Sequence, residues 1–183
     1  MKFCLVVLAI VSLTQLALSL DINLLNSTCY GYKQRLLEFD FYLHTIRTAI
    51  NSSLEVNETP VTGLARQFPP YSFGYTFAFN RKLTSSFEYT SPEIGRMEGY
   101  TAVPSAGQEF TQADFNFTTP ASGYFTVAGY TDFTLLTNKY IVNGGIGDFA
   151  YSIGQVIVTT AFNYTGNNFV FLCKASLTVL KLC

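Results

Sequence analysis

Few residues in this chain can carry catalytic chemistry. A single histidine, His44, stands among 183 residues, so two or three imidazoles cannot meet on a metal and a His-rich metalloenzyme is excluded. The sequence contains no Walker loop, no Gly-x-Gly-x-x-Gly after a strand, no Cys-x-x-Cys, no Gly-x-Ser-x-Gly and no His-Glu-x-x-His. Phosphate, dinucleotide, thiol, serine and zinc chemistry therefore lack their usual residue patterns. Gly144-Gly145-Ile146-Gly147 has neither the following Lys nor the Ser/Thr of a phosphate cradle and precedes an apolar alternation, so it reads as a turn. What remains is isolated carboxylates among 17 Phe and 12 Tyr, with no Trp. Such residues can donate a proton to a bound organic ring and stack on its face.

Eleven Lys and Arg against twelve Asp and Glu give a formal charge of -1. With no basic surplus to neutralise phosphates or anionic lipid, neither nucleic acid nor a membrane surface is expected as a partner. Met1 and Lys2 precede an apolar run from Phe3 to Leu13, and Ala17-Leu18-Ser19 places small residues as signal peptidase requires. Residues 1–19 read as a secretory signal and 20–183 as one domain. Five Asn-x-Ser/Thr sequons, at Asn26, Asn51, Asn57, Asn116 and Asn163, are candidate glycosylation sites and support secretion independently. Cys4 leaves with the signal, and Cys29, Cys173 and Cys183 remain for an oxidising compartment. Three is odd, so one thiol stays free or bonds to another chain. Joining Cys29 to Cys183 would tie the start of the domain to its end, worth ~4 kcal/mol on chain-entropy grounds. Cys173 sits in an apolar alternation.

The elements that must position these residues read as strands. Phe39, Phe41, Leu43 and Thr45 alternate with Asp40, Tyr42 and His44, and the same period of two recurs in Tyr71-Phe73-Tyr75-Phe77-Phe79. That aromatic row predicts buried Phe77 and Phe79. Further segments run around Arg96 to Val103, Glu109 to Thr118, Tyr124 to Asp132, Lys139 to Val142, Ser152 to Tyr164 and Asn168 to Leu182. Thr165-Gly166-Asn167 marks a hairpin between the last two. Helical spacing is confined to a short stretch after the signal. The reading is an all-β chain, a closed antiparallel β-barrel of about eight strands, which either fills with side chains or holds one small ligand.

Several landmarks together resemble the dirigent protein family, which shares its barrel with allene oxide cyclases. Gly144-Gly145-Ile146-Gly147-Asp148-Phe149 followed by Gly154 resembles the family's Gly-Gly-Thr-Gly-Asp/Lys-Phe-x-x-Ala-x-Gly signature. Phe41-Tyr42-Leu43-His44 after Cys29 is similar to its Phe-Tyr-x-His-Asp segment, and Gly95-Arg96-Met97-Glu98-Gly99-Tyr100 to its Gly-Arg-Ala-Gln-Gly-aromatic segment. The final Cys183 falls where the family ends in Tyr-x-Cys. The resemblance implies a secreted, apoplastic barrel without metal or redox cofactor, assembled as a homo-oligomer (dimer or trimer). It implies stereoselective coupling or cyclisation of phenylpropanoid radicals or quinone methides, as in lignan biosynthesis. The ligand is then a small phenol, and its reactive form comes from a separate oxidase such as a laccase or peroxidase.

Residue by residue, the resemblance gives Asp132 and Lys139, seven apart, as candidate catalytic residues matching the family's Asp and Arg. It places Thr45, Thr101 and Val103 where other members carry pocket residues, and it pairs Cys29 with Cys183. The departures are specific. Thr45 stands where the family has an acid, and a hydroxyl is no proton donor near neutral pH. Thr101 and Val103 stand where some members have Tyr. The alternative is therefore a non-catalytic extracellular barrel that binds a small hydrophobic ligand or serves a structural role. His44 and Arg96 read as structural, the latter as an ion-pair partner at a strand end.

Overall fold

The computed structural model describes residues 23–29, 32–47, 56–62, 74–105, 107–132, 134–164 and 168–182. All its elements are strands: β1 Asn23–Cys29, β2 Tyr32–Thr45, β3 Glu58–Thr62, β4 Thr76–Thr84, β5 Glu93–Ser105, β6 Gln108–Phe117, β7 Gly123–Asp132, β8 Thr137–Gly147, β9 Ile153–Tyr164 and β10 Asn168–Leu182. Each pairs antiparallel with its neighbours in the order β1-β2-β10-β9-β8-β7-β6-β5-β4-β3, and a further pairing of β2 with β4 closes β2 and β4–β10 into an eight-stranded barrel. Asn23–Cys29, in the stretch where helical spacing is expected, is instead strand β1, hydrogen-bonded to β2 from Asn23↔Leu36 to Cys29↔Tyr32. A paired edge outweighs weak local spacing. The glycine run read as a turn also belongs to a strand, since Gly144–Gly147 forms the end of β8 against β7.

Closure is brief. The seam pairs Tyr42↔Thr84, Leu43↔Leu83 and His44↔Lys82. Part of the remaining seam edges is occupied elsewhere, with β1 lying on Tyr32–Leu36 of β2 and β3 on Thr76–Phe79 of β4. Unpaired backbone groups on an edge would otherwise invite another chain.

His44 fastens the seam from outside. Its parity on β2 is outward, yet it is 0% exposed, because the 85–91 connection folds over it and Tyr89 packs edge-on at 5.3 Å. Nε2 lies 2.8 Å from Thr84 Oγ1, and the Thr84 hydroxyl donates to Ser86 O at 2.7 Å. Thr84 therefore accepts, Nε2 carries the proton, and the ring is neutral. Nδ1 has no partner. Protonating it would create a buried, unpaired cation, and burial, with Lys82 nearby, lowers the pKa to about 4.

The interior fills from one end. Phe39, Phe41, Phe115, Phe117, Phe125 and Phe149 are buried, with centroid spacings such as 5.3 Å for Phe41–Phe115 and 5.4 Å for Phe117–Phe149. Edge-to-face contacts recur among them, as ring quadrupoles favour. The end of β8 delivers Phe149. Gly147 adopts φ +66, and a Cβ on Gly145 would lie 2.4 Å from the Phe149 carbonyl oxygen, so the chain can fold back only with glycine at these positions. Asp148 Oδ2 accepts a hydrogen bond from Ser122 N at 2.9 Å and holds the turn. Phe77 and Phe79 are buried as the alternation predicts.

The pH dependence of stability tests the seam. A histidine whose folded pKa is depressed stabilises the fold above its unfolded pKa and loses that contribution as the unfolded chain protonates. Denaturant midpoints should show a loss of order 3 kcal/mol from about pH 6.5 to about pH 4 that is absent in His44→Gln. Parallel pH profiles in the two proteins would refute a buried neutral His44.

Candidate functional site

At the end of the barrel opposite the phenylalanine plug lies a cavity of roughly 230 Å³. Leu43, Val158, Phe169 and Phe171 supply its apolar wall, with Leu135 and Leu136 of the β7–β8 connection. Those two leucines are 56% and 78% exposed. Thr45, Arg47, Arg81, Glu109, Thr111 and Tyr140 form the polar side, and Thr131, Asp132 and Asn138 also line the cavity.

Four charged side chains, Arg47, Glu58, Arg81 and Glu109, are buried here. Strand parity puts them inside: Arg81 is in phase with Phe77, Phe79 and Leu83, and Glu109 with Thr111, Ala113, Phe115 and Phe117. Sequence reasoning missed all four. The available signal was charge in phase with a buried row, where a solvated face would put it out of phase. Glu58 is the hub. Arg47 Nε donates to its Oε2 at 2.6 Å, and Arg81 donates to its Oε1. Arg47 Nη2 also reaches Glu109 Oε1 at 3.3 Å, and Arg81 stacks its guanidinium 3.9 Å from the Phe79 centroid.

The two carboxyls titrate in opposite directions. Burial alone would raise Glu58, but the Arg81 and Arg47 charges outweigh it and hold the group below the usual carboxylate range. Burial pushes Glu109 up, and the same two arginines offset only part of that effect. Two buried polar atoms at the cavity, Thr45 Oγ1 and Arg81 Nε, have no hydrogen-bond partner among the described residues. Leaving such groups unpaired is costly. Among the described residues no three His, Cys, Asp or Glu converge as a metal site would require.

Of the residues proposed from sequence, Thr45 and Asp132 line this one cavity. Asp132 sits at its mouth, where Oδ1 accepts from Thr134 N at 2.8 Å and Thr134 Oγ1 at 2.6 Å. Those hydrogen bonds from the Thr134 side chain and backbone lower its pKa. Lys139 is exposed on the outer face of β8 and is not among the lining residues, whereas the adjacent Tyr140 points inward. The pair is thus not brought together. Thr101 lies one layer behind the lining, its hydroxyl 3.0 Å from that of Thr111, and Val103 packs in a separate cluster with Tyr75 and Phe77. Arg96 pairs with Glu93 at 2.8 Å at a strand end, as read.

Cys173 is buried and free, and burial pushes its thiol up. Cys183, Asn51 and residues 1–19 lie outside the described residues, as do the side chains of Cys29, Asn26 and Asn163. Asn116 is exposed on β6. The Asn57 amide is engaged with the end of β2, donating to His44 O and accepting from Ile46 N.

The described strands thus form a closed eight-stranded barrel with a phenylalanine-packed end and a polar-apolar chamber at the other. The family model described as Dirigent-like protein matches residues 36–179, and the chain belongs to that family. The pterocarpan synthase dirigent protein GePTS1 superposes with a TM-score of 0.72 at 15% identity, over 81% of this chain and 92% of its own. PsPTS1, also a pterocarpan synthase dirigent protein, gives 0.71 at 16%, over 79% and 95%. The Diels Alderase AbmU from Streptomyces koyangensis gives 0.52 at 15%, over 79% and 68%. At such identities the likeness is one of fold. No curated protein matches the sequence.

Removing the hub should expose its role. Glu58→Gln leaves two buried guanidiniums facing one remaining carboxyl and should cost about 3–5 kcal/mol by chemical denaturation. Glu109→Gln, isosteric with the protonated acid, should cost less, staying within about 1 kcal/mol of wild type. Equal losses in the two variants would contradict the assignment of Glu58 as the hub.

Proposed function

We propose that this chain is a secreted dirigent-type protein that holds a small phenol-derived intermediate, a radical-coupled product or quinone methide, and steers how it couples or cyclises. The observation that carries the reading is the combination, in one chamber, of an apolar aromatic wall with a buried hydroxyl and a guanidinium N–H that lack partners. A phenol-derived guest matches both sides. Its ring stacks on Phe169 and Phe171, and its oxygen accepts from Thr45 and Arg81. Family membership supports the same reading, since dirigent proteins are generally extracellular. The oxidised intermediate would be supplied by a separate oxidase of the laccase or peroxidase type, and the barrel would act as a homo-oligomer. Asp132 serves at the mouth as a solvated carboxylate that positions the β7–β8 connection through Thr134. Lys139 has no part in the chamber.

The test is coupling of coniferyl alcohol by a one-electron oxidant with and without the glycosylated protein, followed by chiral chromatography. An enantiomeric excess is expected with wild type. Val158→Trp, which fills the cavity, should abolish it and weaken coniferyl alcohol binding by more than about tenfold with the circular dichroism spectrum unchanged. A racemic product from protein that still binds the alcohol would favour the non-catalytic binding barrel.

A further inference from the structure

The position where the family's early motif carries an acid is Thr45 in this chain. Thr45 nonetheless shares its cavity with a carboxyl that arrives from a different strand, Glu109 near the start of β6. Resting on the reading of this cavity as a site for a phenol-derived ligand, we propose that Glu109 is the proton donor to the ligand oxygen, with Arg81 and Thr45 receiving that oxygen beside it.

The geometry separates Glu109 from the other candidates. Both oxygens of Glu58 are engaged, one by each arginine, and Glu58 is not a lining residue. Glu109 lines the cavity, touches Arg47 through one oxygen at 3.3 Å, and leaves its other oxygen for a guest. Tyr140 is tied to Thr131 through its hydroxyl at 2.7 Å, and burial makes the phenol a weaker acid still. Asp132 is half-buried at the mouth, and its hydrogen bonds from Thr134 lower its pKa. The charged and titratable groups facing Glu109 are Arg47 after β2, Glu58 on β3, Arg81 on β4 and Tyr140 on β8. The arginines act against protonation, but they are shared with Glu58. Burial dominates and keeps Glu109 neutral to higher pH than a solvated glutamate.

The step balances without an oxidant. As a pendant hydroxyl oxygen attacks the exocyclic carbon of a quinone methide, a C–O bond forms and the exocyclic C=C opens. The electron pair moves through the ring to the carbonyl oxygen, which takes the Glu109 proton and becomes a phenol. The attacking hydroxyl releases its proton to water, and water returns one to the Glu109 carboxylate, which Arg47 stabilises meanwhile. A proton held at one point of an asymmetric chamber favours one face of the guest.

Infrared difference spectra between wild type and Glu109→Gln should contain a protonated-carboxyl band that persists to higher pH than that of a solvated glutamate. Saturating coniferyl alcohol should shift that band to lower frequency. In the coupling assay Glu109→Gln should lower the enantiomeric excess about tenfold while coniferyl alcohol affinity stays within about twofold. Glu109→Asp should recover part of the excess. Wild-type excess should fall as pH rises through the Glu109 pKa, and the Gln variant should be flat. An unchanged excess in Glu109→Gln, or a bound alcohol that leaves the band unmoved, overturns the donor role alone. Wild-type protein that does not bind the alcohol overturns the ligand reading, and the donor role with it.

Discussion

Three backbone pairs between β2 and β4, among the described residues, convert a curled sheet into a barrel. Everything inside depends on them, because a cavity sealed on only seven of its eight sides would be wet. So short a ladder contributes little by itself, and the side chains reinforce it on both surfaces. Outside, the neutral His44 ring bonds Thr84 across the seam beneath the 85–91 connection. Inside, Arg47 follows β2, Glu58 opens β3 and Arg81 lies on β4, so the Arg47–Glu58–Arg81 chain crosses the same seam. The charged cluster that equips the cavity thus also fastens the closure. Changes to either arginine affect fold and site together.

The two ends of the barrel solve opposite problems. At one end six phenylalanines pack ring against ring, and the glycine run at the end of β8 returns Phe149 into that stack. At the other end aromatic side chains withdraw to one wall and polar groups take the rest. Ring packing is concentrated in the plug, and the buried charged groups lie where packing is incomplete. Burial is deep enough there to separate the titration of Glu58 from that of Glu109.

Most of the barrel was legible in the sequence, because a strand with one buried face writes its period of two into the order of residues. The boundaries of β10 at Asn168 and Leu182 follow directly from that pattern. β1 and β3 were not legible, since Asn23–Cys29 and Glu58–Thr62 have no alternation of their own and owe their strand form to the edges they cover. The glycine run misled for a related reason: paired backbone, not side chains, makes Gly144–Gly147 a strand. The site was half legible. Thr45 and Asp132 were found through motif resemblance, whereas Arg47, Glu58, Arg81 and Glu109 were not. Inward charge contradicts the rule that charge faces water, and parity alone reveals it. Lys139 shows the converse, since its spacing from Asp132 fits the motif and its parity sends it outward.

The pairing of β10 with β2 runs from Phe169↔Thr45 to Leu182↔Tyr32, joining the first long strand to the last. Such contacts carry the largest chain-closure entropy in the molecule, and no local hairpin can stand in for them. During synthesis the edge of β2 that pairs with β10 therefore stays open until β10 has been made. Such an unpaired edge is the part of the incomplete chain open to other strands.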